Sequence, residues 1–287
     1  MTGRVALVTG AGKGLGRSYA LWFARRGATV IVNNRTQANR PSSARAVVEE
    51  VRAAGGVAEI DEHDVQSEAG CQAMVQAAVD AFGRLDILVA NAGVDDKASY
   101  DELSAEVFRR VMDVNFWGTV YPVIAAIPHM VASRYGRIVA TLSTAGLFGQ
   151  PRSAYYGASK SALVGMIRSM ALDIPDDMDI RLNMIAPAGF TEKARPYIDP
   201  RHEQFMSPDR VAPVVGWLAS DLCDRSGLIL HAGCGRVRRV QIVGAPPMEI
   251  RDDDVACCWP QLDDMRGAEE FAMSFAAGRS MNPEIYD

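Results

Sequence analysis

Histidine is scarce in this 287-residue sequence, with only His63, His129, His202 and His231, all far apart. None shows the short spacing of metal ligands, so a metal-dependent reaction is not expected. The five cysteines (Cys71, Cys223, Cys234, Cys257 and Cys258) are an odd number without C-x-x-C spacing. Two of them are adjacent, which makes a poor staple, and all five read as reduced thiols. No apolar run approaches the ~18 to 20 residues that span a bilayer, so no membrane segment is expected. A basic excess is missing too. Lys and Arg number 30 against 35 Asp and Glu, for a net charge of -5. Nucleic acid is therefore a poor partner and a small-molecule substrate the better one. The chain opens Met-Thr-Gly-Arg and runs straight into apolar Val5 to Val8 without a basic-then-apolar leader, and a cytoplasmic protein is expected. Hydrophobic residues make up 48% and charged residues 23%, the balance of a globular chain able to bury a large core.

Short β-branched apolar runs alternate with longer stretches of helical period, the pattern of repeated βαβ units around a parallel sheet. Strands are expected near residues 4–9, 28–33, 57–61, 86–90, 137–142, 180–185 and 228–232, with helices between them. The fold class is α/β, a doubly wound parallel sheet of about seven strands with helices on both faces. From Ser42 to Ala54 the apolar Ala44, Val47, Val48 and Val51 recur at helical spacing, after Pro41 and a serine cap and before Gly55-Gly56. The pattern changes after Gly244. Residues 1–244 are expected to form the main domain and 245–287 a tail with a helix from Asp263 to Ala277, packed on the same domain or on a neighbouring subunit. A separate unit that small would be marginal without staples.

Between the first strand and the first helix lies Thr9-Gly10-Ala11-Gly12-Lys13-Gly14-Leu15-Gly16. Glycines there permit a tight turn and remove the Cβ atoms that would keep a pyrophosphate from the amides at a helix N-terminus. The context gives the G-x-G-x-x-G spacing its meaning, since the bare motif also occurs by chance.

Together with Ala90-Asn91-Ala92-Gly93 after the fourth strand, Ser143 after the fifth and Tyr156-Gly-Ala-Ser-Lys160, this loop resembles the short-chain dehydrogenase/reductase family over residues 4 to about 244. Phe148-Gly149-Gln150, Asn183 to Pro187 and Val211 to Leu218 look most like the hydroxyacyl-CoA dehydrogenase domain of peroxisomal multifunctional enzymes and their bacterial relatives. The resemblance implies a Rossmann-type fold, a nicotinamide cofactor and a homotetramer or homodimer built on the helices carrying Asn115 and Tyr156. It also implies cofactor contacts from Gly10, Gly12, Lys13, Gly14, Leu15, Gly16, Asn34, Asp64, Val65, Asn91, Ala92, Gly93, Tyr156, Lys160, Pro187 and Thr191. Asp64 would accept from the adenine amine, and the carboxamide would meet backbone near Ile185 and Thr191. Two departures stand out: Ala90 replaces a common Asn, and Pro187-Ala188-Gly189 replaces Pro-Gly.

Asn34 stands where NAD-preferring members carry an acid for the ribose hydroxyls. Without that acid, Lys13 and Arg35 would make charge-assisted contacts to a 2′-phosphate. NADP is favoured, with NAD the alternative.

Tyr156 and Lys160 are four apart and share a helix face. A cation about 4 Å away supplies energy of the order needed to bring a phenol's pKa of about 10 toward neutrality. Tyr156 is thus the expected acid/base, giving a proton to the carbonyl oxygen in reduction and removing it in oxidation. Tyr155, five from Lys160, falls off that face and reads as a lining or packing residue. The resemblance implies that Ser143 holds the substrate oxygen and that the Asn115 backbone keeps a water beside Lys160. It also places Tyr197, Phe205, Met206 and Trp217 in or just after a substrate lid. The leading function is hydride transfer between nicotinamide and a carbonyl or secondary alcohol of a bulky apolar substrate: a 3-oxoacyl thioester, a steroid or a polyketide. A dehydratase or epimerase without net cofactor turnover and a non-catalytic nucleotide-binding regulator are the alternatives.

Overall fold

The computed structural model describes residues 1–36, 42–189, 199–248 and 263–281. The chain divides into two compact units, Met1–Arg239 and Val240–Asp287.

The first unit is built outward from β1 (Val5–Val8), four apolar residues all buried. β1 pairs in parallel with β2 (Thr29–Asn33) on one side and β4 (Ile87–Ala90) on the other. β3 (Ala58–Asp61) extends the β2 side, and β5 (Tyr135–Thr141), β6 (Asp179–Ala188) and β7 (Ile229–Gly233) extend the β4 side. The resulting order is β3-β2-β1-β4-β5-β6-β7-β8, one strand more than expected. The extra strand β8 (Arg236–Val240) follows β7 through a two-residue turn. Cys234 and Gly235 there take φ of 53° and 73°, the positive values a tight hairpin requires. An arginine-rich run does not look like a buried parallel strand, which is why the sequence hid it.

Alternation along the strands divides the core into two layers. Val8, Val32, Val89, Val139 and Ile185 face α1 (Gly14–Ala24), α2 (Ala44–Ala53) and α8 (Ala212–Leu218), which bring Tyr19, Phe23, Val47, Val51, Val215 and Leu218. Leu7, Leu88 and Ile138 are equally buried on the other face. That face is covered by α3 (Glu68–Phe82), α5 (Gly118–Ser133) and α7 (Ala154–Asp173), which include Met74, Val123, Met130, Leu163 and Ile167. α4 (Ala105–Met112) runs into α5 through a wider π-helical turn, Asp113–Trp117. A short α6 (Thr144–Phe148) separates β5 from α7.

The topology reverses between β1 and β4: the chain moves away through β2 and β3, then returns to the other side of β1. In open α/β sheets that reversal opens a crevice beyond the carboxyl ends of the strands, where ligands bind.

In the second unit β9 (Val243–Gly244) pairs antiparallel with β10 (Glu269–Glu270), and α9 spans Ser274–Met281. The helix expected from Asp263 therefore starts eleven residues later. Gly267 adopts φ 81°, outside helical space, and the next residues pair with β9 instead.

Candidate active site

The glycine loop and the Asn91-Ala92-Gly93 loop leave neighbouring strands and are stapled together. The buried Thr9 hydroxyl accepts the N–H groups of Asn91 (3.0 Å) and Ala92 (3.1 Å). In return Asn91 Nδ2 donates to the carbonyls of Thr9 (3.0 Å) and Gly10 (3.3 Å). Gly10 has φ +62°, and a Cβ there would lie 2.8 Å from the Ala92 Cα, so backbone conformation and space both demand glycine. α1 starts at Gly14 with Lys13 extended ahead of it and no side-chain cap, which leaves the positive end of its dipole to the loop. Leu15 and Gly16 form its first turn, with Leu15 against Gly189 at the end of β6.

At the far end of this crevice, Gly12 lies beneath Asn34 and Ser43. A Cβ on Gly12 would fall 2.0 Å from Ser43 Oγ and 3.0 Å from the Asn34 side chain. Asn34 Nδ2 donates to Ser43 Oγ at 3.0 Å. Sequence reasoning missed Ser43 because it read the serine pair only as a helix cap. Capping falls to Ser42, which accepts from Ala44 N (3.2 Å) and donates to the Asn34 carbonyl (2.6 Å), and Ser43 is thereby released to the crevice. Arg35 does not stand apart: its guanidinium pairs with Asp64 at 2.9 Å. Asp64 also accepts from Gln66 N (3.0 Å) and Nε2 (3.2 Å), and these bonds together hold its carboxyl below the ordinary range despite partial burial. Val65 is buried against Gly118.

Ser143, Tyr156, Lys160 and Asn115 converge beyond β4 and β5. Ser143 caps α6, accepting from Ala145 N at 3.2 Å, and its hydroxyl lies near enough to the Tyr156 phenol to favour the ionised form. Lys160 is 2% exposed; its ammonium donates to the Thr141 carbonyl at 2.7 Å and lies 6.0 Å from the Tyr156 ring centroid. The ammonium is thus held by a β5 carbonyl on the same side of the helix as the Tyr156 ring. Burial pushes the Tyr156 phenol above its usual range; the Ser143 hydrogen bond opposes this and the Asp95 charge adds to it. Asp95 is itself paired with Lys97 (3.2 Å).

Asn115, fully buried in the π-helical turn, ties three elements together. Its Oδ1 accepts from Val94 N (2.7 Å), and its Nδ2 donates to the Val94 carbonyl (2.9 Å) and to Ser159 Oγ (2.9 Å). Ser159 in turn donates to the Tyr156 carbonyl at 2.8 Å. The Asn115 carbonyl, the expected water anchor, accepts from Thr119 Oγ1 at 3.0 Å, which occupies one of its two lone pairs. Gly93 lies between them: a Cβ there would be 3.2 Å from Asn115 Oδ1 and 3.6 Å from Lys160 Nζ. Tyr155 is a packing residue, 2% exposed, with its hydroxyl accepting from Ser104 N (2.6 Å) and its ring edge-on to Phe108.

The Ile185 carbonyl accepts from Leu142 N at 2.7 Å within the sheet, which occupies one of its two lone pairs. Thr191 and Tyr197 lie outside the described residues. Met206 approaches Gly189, whereas Phe205 is 52% exposed and Trp217 sits 40% exposed on α8. Among the described residues no cluster of His, Cys, Asp or Glu is arranged to hold a metal ion.

Residues 4–201 match the model of the short chain dehydrogenase family. The chain belongs to that family. It is 35% identical to a protein named as a short-chain type dehydrogenase/reductase in Mycobacterium tuberculosis, over 93% of this chain and 96% of that one. It is also 36% identical to the peroxisomal multifunctional enzyme type 2 of Mus musculus over 93% of this chain but only 38% of the mouse protein. Among solved structures, the full-length multifunctional enzyme type 2 of Drosophila melanogaster superposes with a TM-score of 0.82 at 31% identity, over all of this chain and 50% of that one. A short chain dehydrogenase from Mycobacterium avium gives 0.79 at 32% identity, over 93% and 95%. The chain thus spans half or less of these multifunctional enzymes and nearly all of the mycobacterial proteins. No helix among the described residues is long and apolar enough to cross a membrane.

Proposed function

We propose that this short-chain dehydrogenase moves a hydride between a nicotinamide dinucleotide and a carbonyl or secondary alcohol on a bulky apolar substrate, with a 3-oxoacyl thioester first among the candidates. The observation that carries the proposal is the convergence of Ser143, Tyr156 and Lys160 at one end of a crevice whose other end is the glycine loop.

The residues present fit the nucleotide. Gly12 packs so closely under Ser43 and Asn34 that a Cβ would clash with both, and the uncapped start of α1 would meet a pyrophosphate with its free amides. Gly10, Gly12, Lys13, Gly14, Leu15 and Gly16 would hold the phosphates, Asn34, Ser43 and Arg35 the ribose, Asp64 and Val65 the adenine. Asn91, Ala92, Gly93, Tyr156, Lys160, Pro187 and Thr191 would line the path to the nicotinamide. When bound, that ring supplies or accepts the hydride. Tyr156 would hold the proton at its phenolic oxygen and deliver it to the substrate oxygen in reduction, or remove it in oxidation. Ser143 would donate to the same oxygen and keep it in line. Lys160, whose ammonium lies 6.0 Å from the ring centroid, would favour the ionised phenol and so act against the burial that raises it. Asn115 and Ser159 fix the helix turn on which Tyr156 and Lys160 ride.

NADP is the favoured nucleotide, because neutral Asn34 and Ser43 donate where a ribose-binding acid would repel a 2′-phosphate and Arg35 brings a cation. NAD is the second reading, favoured by the engagement of Arg35 with Asp64. The family resemblance implies a homotetramer or homodimer built on the helices carrying Asn115 and Tyr156. The proposed place of action is the cytoplasm.

Fluorescence titration with NADPH and NADH, followed by a ketone panel with the tighter nucleotide, tests the reading. Saturable binding and net oxidation of NADPH support it. Tighter NADH binding selects the second reading; conversion of substrate without net nucleotide turnover points instead to a dehydratase or epimerase. Binding without conversion leaves a regulator, and binding of neither nucleotide overturns the proposal.

A further inference from the structure

We infer that Asp64 sets nucleotide selectivity through Arg35, acting as an internal competitor for the guanidinium that would otherwise meet a 2′-phosphate. The inference rests on the dinucleotide reading of the crevice. It extends that reading by giving Asp64 a second role besides the adenine edge.

The parallel register of β2 and β3 places Asn33 opposite Asp61, so the loops leaving these strands run side by side and bring Arg35 to Asp64. The contact is well formed, at 2.9 Å from a guanidinium nitrogen to Asp64 Oδ2. Asp64 is not free to turn away. Its Oδ1 accepts the backbone N–H of Gln66 at 3.0 Å, and Gln66 Nε2 reaches both carboxylate oxygens at 3.2 Å. Arg35 and Asp64 side chains are 47% and 36% exposed, so the pair is open to solvent and exchangeable rather than locked. Beside it lie Gly12, Asn34 and Ser43, the groups that mark the ribose end of the crevice.

A 2′-phosphate entering there must draw Arg35 off Asp64 or share it, whereas a 2′-hydroxyl makes no such demand. Asp64 therefore weakens binding of the phosphorylated nucleotide selectively, and its adenine contact, common to both nucleotides, cancels in their ratio. An exposed ion pair of this kind corresponds to about a two- to fivefold change in equilibrium.

The test is a double-mutant cycle on the full chain, with NADPH and NADH dissociation constants measured by fluorescence titration for wild type, Asp64→Asn, Arg35→Ala and the double variant. Asp64→Asn is expected to raise the preference for NADPH over NADH about two- to fivefold. The same substitution in the Arg35→Ala background should leave the preference unmoved. A flat ratio in Asp64→Asn overturns the inference while nucleotide binding itself survives. A rise of equal size in both backgrounds also overturns it, because the carboxylate would then act by direct repulsion and not through Arg35. Failure of the wild type to bind either nucleotide is a different result: it removes the dinucleotide reading and this inference with it.

Discussion

Replacing Asn115 with alanine removes three hydrogen bonds, one fully buried at Ser159 and two part-buried at Val94. The Val94 N–H and carbonyl lose their partners and Ser159 loses its donor, and each orphaned buried group costs about 1–3 kcal/mol. The total is roughly 3–9 kcal/mol, large beside the 5–15 kcal/mol that holds most domains together. For a chain of this length 1 kcal/mol moves Tm by about 2–4 °C, so the lower figure alone corresponds to a fall of about 6–12 °C. Asn115→Ala should therefore melt earlier by calorimetry, and nucleotide at saturating concentration should recover part of the loss. Activity should fall as well, because the Asn91-Ala92-Gly93 loop and the α7 turn carrying Tyr156 lose their common anchor. An unchanged Tm with a large loss of kcat would refute the reasoning, since it would mean that the side chain takes part in proton transfer and does not serve as a strut.

Further outcomes follow from the same geometry. Gly12→Ala forces a Cβ into Ser43 and should weaken both nucleotides by about 1–3 kcal/mol, roughly 5- to 150-fold in Kd, with Tm affected less than binding. Asp95→Asn removes a negative charge that raises the Tyr156 phenol, so its pKa should fall. Oxidation uses the deprotonated phenol and its kcat/KM profile should then rise at lower pH; reduction uses the protonated form and should lose activity at lower pH on the alkaline side. Arg137, 1% exposed at the opposite end of the sheet, donates to carbonyls of Gly136, Asp179 and Ser220. Arg137→Ala should cost about 2–4 kcal/mol of stability while nucleotide Kd stays unchanged, as measured by denaturant unfolding and titration.

Much of this fold is legible because parallel strands buried on both faces leave unmistakable apolar runs. Val5 to Val8 and Ile87 to Ala90 are such runs, and each bears a loop motif at its carboxyl end. Tyr156 and Lys160 are legible for a related reason: helix geometry makes a spacing of four a statement about one face. Side-chain partnership is not periodic, and the sequence is silent about it. Nothing in the spacing of Asn34 and Ser43, or of Arg35 and Asp64, shows that a sheet register will bring them together. Lys160 illustrates the limit from the other side, since its ammonium donates to the Thr141 carbonyl of a different element, a partner that no spacing reveals. The β8 strand escapes because its exposed, arginine-rich run lacks a hydrophobic signature, and the β9–β10 pair because two residues to a strand leave none.

Tyr156 is the proposed acid/base group, and Tyr156→Phe tests that role, with nucleotide binding and ketone turnover measured on the same preparation. The ring and its packing are kept and only the hydroxyl is lost, so the account predicts nucleotide Kd close to wild type with nearly all turnover gone. Turnover retained at the wild-type level would contradict it and move the proton to another group in the crevice.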